Sequence, residues 1–261
     1  EYKDFEPIYT KVLKVRPSGK SHEKIQGLVP LPAAGAKAQG QSSPFIDLLQ
    51  GRQKEIVNVS YSIGTGITRE MYDDDQYDLI NDAPRFLARS MKETQEITHH
   101  APWNAGFTSA LSADGDAVFS VTHSMEDSAY ADLSNMGQSG VSYVLSQTSL
   151  ENACIFMTDW TDDRGNRRNF KGVTLFLPSE LQFTGQKILE TEYEVGTGNN
   201  TINPVRGKMN LVWSPYLTSA TAWFIVTDYN DMGRSFVALD RMAPDLERDA
   251  EFTTRNMNFS S

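Results

Sequence analysis

Four histidines, a run of aspartates and a single cysteine are the side chains of this 261-residue sequence best suited to chemistry. Histidine ligates metals and moves protons near neutral pH. Yet His22, His99, His100 and His123 never stand at the His-x-x-x-His spacing that aims two ligands one way from a helix. Adjacent His99 and His100 point about 100° apart on a helix, which suits its polar end, where a cation also complements the dipole. Asp73, Asp74, Asp75 and Asp78 could hold a hard cation, since Mg²⁺ and Ca²⁺ take carboxylate oxygens. The glycine and closing glutamate of an EF-hand are missing around them, and helix capping accounts for the cluster without an ion. Asp162-Asp163-Arg164-Gly165-Asn166 reads as a turn. Gly196-Thr197-Gly198 is too short for a dinucleotide fingerprint, and no Gly-Lys-Ser/Thr follows any glycine loop. No Gly-x-Ser-x-Gly elbow occurs, and Cys154 lies in an apolar helical stretch that favours an inert core thiol. The expectation is no catalytic residue, no metal ligand and no cofactor.

Composition narrows the class further. With 24 Lys+Arg against 34 Asp+Glu the net charge is −10, opposite to the basic footprint of a nucleic-acid reader. At 39% hydrophobic and 22% charged residues the chain is that of a globular protein able to bury a core. One cysteine forbids an internal disulfide, which fits folding in a reducing cytoplasm. No apolar run reaches the roughly 18 residues of a membrane span, and the start Glu1-Tyr2-Lys3-Asp4 lacks signal-peptide regions. A soluble protein without membrane contact is expected.

The elements that would position these residues are read from periodicity. Ile8 to Val15 is rich in β-branched and aromatic residues and ends at Pro17-Ser18-Gly19, predicting a strand. Gly27 to Ser43, with Pro30, Pro32, Gly35 and Gly40, predicts a long loop. Glu55 to Ile63 alternates and predicts a second strand, so the two together read as a two-stranded excursion reaching away from the body. Gln76 to His100 predicts a long amphipathic helix capped by the aspartates. Pro84 means that this helix either bends at Asp82-Ala83 or starts at Pro84 after a short turn. A helix over Leu150 to Trp160, a buried strand over Val173 to Leu177 and a helix from Pro178 through Leu189 follow. Strands are expected at Met209 to Trp213, Ala222 to Thr227 and Ser235 to Leu239, and no internal repeat is found.

The order of these pieces resembles one family. Thr68-Arg69-Glu70-Met71-Tyr72-Asp73-Asp74-Asp75-Gln76-Tyr77, then Pro84-Arg85 and Leu87-Ala88-Arg89-Ser90, lie where the major capsid proteins of tailed bacteriophages enter their long helix. Val118-Phe119-Ser120-Val121-Thr122-His123, Asp162-Asp163-Arg164-Gly165, Leu175-Phe176-Leu177-Pro178 and Asn210-Leu211-Val212-Trp213-Ser214-Pro215-Tyr216-Leu217 extend the likeness over roughly residues 8 to 261. The subset resembled is the Mu-like major head subunit group, with a Hong Kong type capsid fold.

The resemblance implies an α+β fold: an N-terminal arm (1–7), a β-hairpin extension loop (8–63) and a peripheral domain with a long spine helix on a β-sheet (64–106). An axial domain with a central mixed sheet and helices (107–238) and a return to the peripheral domain (239–261) would follow. The family usually continues through one more strand, so the last strand is expected to be incomplete or supplied by residues beyond Ser261. Implied partners are copies of itself in hexamers and pentamers, scaffold, portal and decoration proteins, and packaged DNA enclosed without sequence-specific binding. The implied place is the virion capsid, assembled in the bacterial cytoplasm. Pro30, Pro32, Gly35 and Lys37 on the extension, and Asn199 and Asn200 in the polar loop placed near the capsomer axis, are the candidate inter-subunit contacts. Some family members crosslink an extension-loop lysine to a neighbour's asparagine, but nothing selects an asparagine for Lys37 and no crosslink is expected. Three other readings stay open: an encapsulin-like nanocompartment shell, a carboxylate-dependent metal hydrolase using Asp73, Asp75 and Asp78, and a monomeric adhesion module.

Overall fold

A computed structural model describes residues 6–75, 82–126, 131–137, 143–193, 201–231, 236–245, 247–250 and 257–260. Its centre is one strand, β5 (Gly172–Pro178), which pairs in parallel with β6 (Asn210–Ser214) and antiparallel with β7 (Phe224–Thr227). Successive residues of a strand face opposite sides, and β5 is apolar on both. Leu175 and Leu177 face α3 (Gln147–Thr158) and α4 (Gln182–Glu190), in a core with Leu145, Leu150, Ile188, Leu189, Val205 and Met209. Phe176 faces the other way, into a core with Trp103, Phe224 and Leu217. A strand covered on both faces reads as a continuous apolar run, which is why Val173 to Leu177 stands out in the sequence.

The long helix α2 runs over Ala83–Asn104 with Pro84 in its first turn, where the missing amide costs nothing. Of the two sequence expectations, the start near Pro84 is the one realised. Residues 76–81 lie outside the described residues. Asp73, Asp74 and Asp75 do not stand at the start of α2 as expected: Thr68 Oγ1 accepts from Met71 N–H and starts a short helix, α1 (Arg69–Asp73), that ends on the first of them, and α2 begins only at Ala83. Asp73 closes that helix and pairs with Arg69 Nε at 2.8 Å, a contact that offsets a carboxylate at the negative end of the dipole. Helix α3 starts at Ser146, earlier than expected, because Ser146 and Ser149 cap each other reciprocally.

The first part of the chain differs most from the sequence reading. Residues 9–11 form a 3-10 turn and only Lys14–Pro17 is a strand, β1, which pairs in parallel with β8 (Val237–Asp240). The strands of the excursion are β2 (His22–Leu28) and β3 (Gln50–Val57), antiparallel to one another. The β-branched run at 8–15 is spent inside the core instead: Tyr9, Val12 and Leu13 are buried with Trp103 and Phe176. Farther along, β4 (Gly64–Ile67) pairs with β10 (Met257–Ser260), which also pairs with β9 (Glu247–Ala250).

Glu96 and His100 lie on the buried face of α2, and Glu96 binds the opening segment. Glu96 is 0% and His100 1% exposed. Ile8 N–H donates to Glu96 Oε1 at 2.6 Å and Tyr9 N–H to Oε2 at 3.3 Å, so the carboxylate caps the 3-10 turn from another part of the chain. His100 Nδ1 lies 2.7 Å from the Glu96 carbonyl, which can only accept, so Nδ1 bears the hydrogen. Burial pushes the Glu96 carboxyl up against the pull of the two amides, and burial pushes the His100 imidazole down. His99 is likewise pushed down by burial and packs against Tyr9, the rings tilted with centroids 4.2 Å apart. The histidine pair is therefore packed inside the fold rather than at a polar helix end, because α2 continues to Asn104.

Candidate assembly surface

The excursion carries the most exposed apolar side chains of its stretch. Between β2 and β3 the loop presents Leu31, Ile46, Leu48, Leu49 and a 99% exposed Phe45. From the last residue of β3 onward, Val57, Val59, Tyr61 and Ile63 are exposed apolar residues at every second position. Exposed apolar rows are a general feature of interaction surfaces. The hairpin strands themselves are polar and exposed for most of their length, so they add little to the core of the same chain.

The sequence-expected contact residues fall on this loop in part. Gly35 and Lys37 are exposed, and Pro30 and Pro32 are half-buried where the loop leaves the hairpin. Asn199 and Asn200 lie outside the described residues, as does Asp78 of the aspartate cluster. The turn at Asp162 is present as expected: Asp162 Oδ1 accepts from the Arg164 and Asn166 amides, each at 2.9 Å. These amides, with Asn166 and Arg168 side chains, overcome burial and hold the Asp162 carboxyl below the ordinary range. Cys154 is half-buried on α3, where burial pushes its thiol up and away from reactivity.

A cluster not anticipated from sequence ties the hairpin to the body. Asp114, Asp116 and His123 bring potential ligand atoms within 4.8 Å of one another. A cation already faces them. Arg52, on β3, places Nη1 3.6 Å from Asp114 Oδ2, Nε 3.0 Å from Glu126 Oε1 and Nη2 3.1 Å from Ser124 Oγ. His123 Nδ1 lies 2.6 Å from the same Asp114 oxygen. Burial raises the Asp114 carboxyl, but the His123 contact, the Asp116 amide and Ser112 together hold it below its ordinary value. The group therefore acts as an anchor for a guanidinium, with a second tie where Asn166 Nδ2 donates to the Leu31 carbonyl at 3.1 Å. Charges separated by more than 60 residues of intervening chain have no local pattern that sequence reading could have found. Among the described residues no helix is long and apolar enough to cross a membrane.

Comparison with known proteins places this architecture. The family model described as phage capsid protein matches residues 53–261. No curated protein matches. Among solved structures, the capsid of bacteriophage JBD30 is similar with a TM-score of 0.66 at 14% identity, covering 82% of this chain and 92% of that one. A form of that capsid decorated with minor capsid protein trimers gives 0.64 at 13% identity, with 82% and 92% covered. The capsid of cyanophage P-SCSP1u gives 0.58 at 10% identity, covering 98% of this chain and 83% of that one. At such identities the structures speak for the fold, while the family match spans most of the chain. The chain belongs to the phage capsid protein family, whose members are structural parts of the virion capsid.

Proposed function

We propose that this chain self-assembles into hexamers and pentamers that tile an icosahedral head around double-stranded DNA, and that it stands with the Mu-like major head subunits within its family. The observation that carries the reading is the apolar row on the projecting loop and its flank, from Leu31 through Phe45 to Ile63, which the same chain leaves uncovered. Identical chains meeting through different surfaces close into rings, and a loop that a neighbour covers turns exposed apolar surface into contact area. The net charge of −10 suits a container wall, since a basic wall would hold packaged DNA by counterion release.

The proposed organisation follows the chain. Residues 1–7, of which 1–5 lie outside the described residues, would be the arm, and the projecting part of the 8–63 stretch would be the hairpin of β2 and β3. The peripheral domain is α2 with the sheet of β4, β10 and β9, and residues 107–238 with β5 at their centre form the axial domain, before the return at 239–261. Pro30, Pro32, Gly35 and Lys37 would meet a neighbouring copy, and Asn199 and Asn200 would lie near the capsomer axis. Scaffold and portal proteins are further partners, and a decoration protein is suggested by the trimers on the JBD30 capsid.

Negative-stain microscopy and light scattering of the purified protein, alone and with its scaffold, test the reading. Closed isometric particles or rings of five and six are expected. Loss of those particles on Phe45→Ser, in a variant that keeps its fold, would tie assembly to the loop. Assembly unchanged by Phe45→Ser together with Leu48→Ser would remove the loop from the account.

A further inference from the structure

The opening of the chain runs against its overall charge. From Pro7 to His22 there is no acid, while Lys11, Lys14, Arg16 and Lys20 fall within that stretch of a chain whose net charge is −10. The fold buries the apolar residues between them and turns the cations out. Val12 and Leu13 are in the core, whereas β1 is exposed at all 4 of its residues. β1 and β8 form a two-stranded sheet whose register sets Arg16 opposite Leu239 and Pro17 opposite Asp240, so Arg241, directly after β8, comes to the same corner. Lys20 is in the turn just beyond β1. That turn is held in place, with Asn58 Nδ2 donating to Ser18 Oγ at 2.8 Å and to the Lys20 carbonyl at 2.6 Å.

Lys14, Arg16, Lys20 and Arg241 are exposed, and among the described residues none of their side chains has an ion pair or a hydrogen bond. Other cations nearby are spent: Lys11 pairs with Glu6 at 3.2 Å and Lys24 with Glu55 at 3.6 Å. Asp240 is the one acid of the two strands. We propose that this corner binds the phosphodiester backbone of duplex DNA through Lys14, Arg16, Lys20 and Arg241. That the DNA is the one enclosed by the head rests on the assembly reading; the binding is a property of the single chain.

The class of ligand follows from how the cations are held. Arg52 meets a fixed set of acceptors and is braced by them. The four cations of the corner are braced by nothing, which suits a ligand whose charges repeat closely along its length. Alternate side chains of an extended strand stand on one face about 6.6 Å apart, and a strand of the duplex carries a phosphate about every 3.4 Å along the axis. Lys14 and Arg16 can therefore meet phosphates of one backbone. β1 and β8 offer no aromatic side chain on which a base could stack, so the contact carries no sequence preference. A few contacts in each copy of an otherwise acidic chain hold the backbone loosely, and DNA can pass from one such foothold to the next.

Amide NMR of dispersed, full-length subunits, titrated with short mixed-sequence DNA duplexes, tests the site apart from assembly. Shifts are expected at residues 14–20 and 239–242, alike for duplexes of different sequence. Contacts from all four cations give a salt slope of about −3.6, so affinity should fall about 100-fold between about 50 mM and about 200 mM salt. Arg16→Gln alone should reduce that slope by about one. Lys14→Gln, Arg16→Gln, Lys20→Gln and Arg241→Gln together should abolish the shifts, while the same change at Lys37, Lys171, Lys187 and Lys208 should leave them in place. The shift map and salt slope of the native chain decide even if the combined variant folds poorly. No shift at the corner, or shifts that survive the combined change in a folded chain, would overturn the site. Tighter binding of a polyglutamate peptide of equal charge would overturn it in favour of an acidic protein partner. The combined variant should still form particles, and loss of particles with DNA binding intact would make the corner an interface between copies instead. Because binding is read in dispersed subunits, a native chain that forms no particles would contradict the assembly reading and not the site.

Discussion

Strand β5 and the β2/β3 hairpin are both strands of ordinary length, yet they meet opposite surroundings. Phe176, with Leu175 and Leu177 beside it, is covered from both faces by the same chain. The hairpin is polar along its strands and carries its apolar residues at the loop and flank, where they are exposed among the described residues. One region therefore stores its energy within the subunit, and the other holds it back for association. Mutations in the two should separate cleanly into loss of fold and loss of assembly.

The largest expected effect is on the covered strand. Phe176→Ala should cost the subunit about 3–5 kcal/mol, as large-to-small core changes do, and a denaturant titration of dispersed subunits reads it. A cost below about 1 kcal/mol would mean that the two cores are not built on β5. Overpacking the same place should come next. A Cβ on Gly185 of α4 would lie 2.4 Å from Leu177 Cδ1, so Gly185→Val should destabilise by about 1–3 kcal/mol in the same titration.

A third experiment probes the buried polar pair where the opening segment meets α2. His100 is pushed below its ordinary 6.5, so its contribution is complete above pH 6.5 and is lost as the pH falls below that value. Glu96 is pushed above its ordinary 4.5, so its contribution has the opposite sign: it is complete below pH 4.5 and is lost as the pH rises. The two offset one another on acidification from 6.5 towards 4.5. Glu96→Gln removes one side of that balance, and thermal unfolding followed across this window should then fall more steeply with acid than in the native chain. Parallel profiles would show that the carboxyl does not titrate with folding. The smallest effect on stability is expected at the hairpin, where Phe45→Ser should change subunit unfolding by less than about 0.5 kcal/mol while suppressing particles.

The covered region was legible in the sequence for the same reason that it is stable. An unbroken apolar run bounded by Pro178 leaves few alternatives, and α3, α4, β6 and β7 fall close to their expected places. The hairpin was legible as an excursion but not in its pairing. His22 to Leu28 has no apolar alternation to announce a strand, whereas Ile8 to Val15 has β-propensity that the fold uses for a buried turn and a distant parallel partner at Val237–Asp240. Glu96 and His100 are four residues apart and so share a helix face, but only the three-dimensional structure shows that this face is the buried one. Arg52 and its acceptors are joined by a bulge and a chain reversal, and neither leaves a periodic trace. The capsid resemblance came from the order of many weak motifs, and the family match over residues 53–261 bears it out at the level of the phage capsid protein family.

The central claim is that the loop's apolar surface is satisfied by a neighbour. Hydrogen exchange of residues 29–63, compared between dispersed subunits and assembled particles of the same protein, tests it most directly. The account predicts rapid exchange in the subunit and strong protection in the particle, concentrated around Phe45 and the row from Val57 to Ile63. Particles in which this stretch exchanges as fast as in the free subunit, or a chain that remains a 29.2 kDa monomer with its scaffold present, would contradict it.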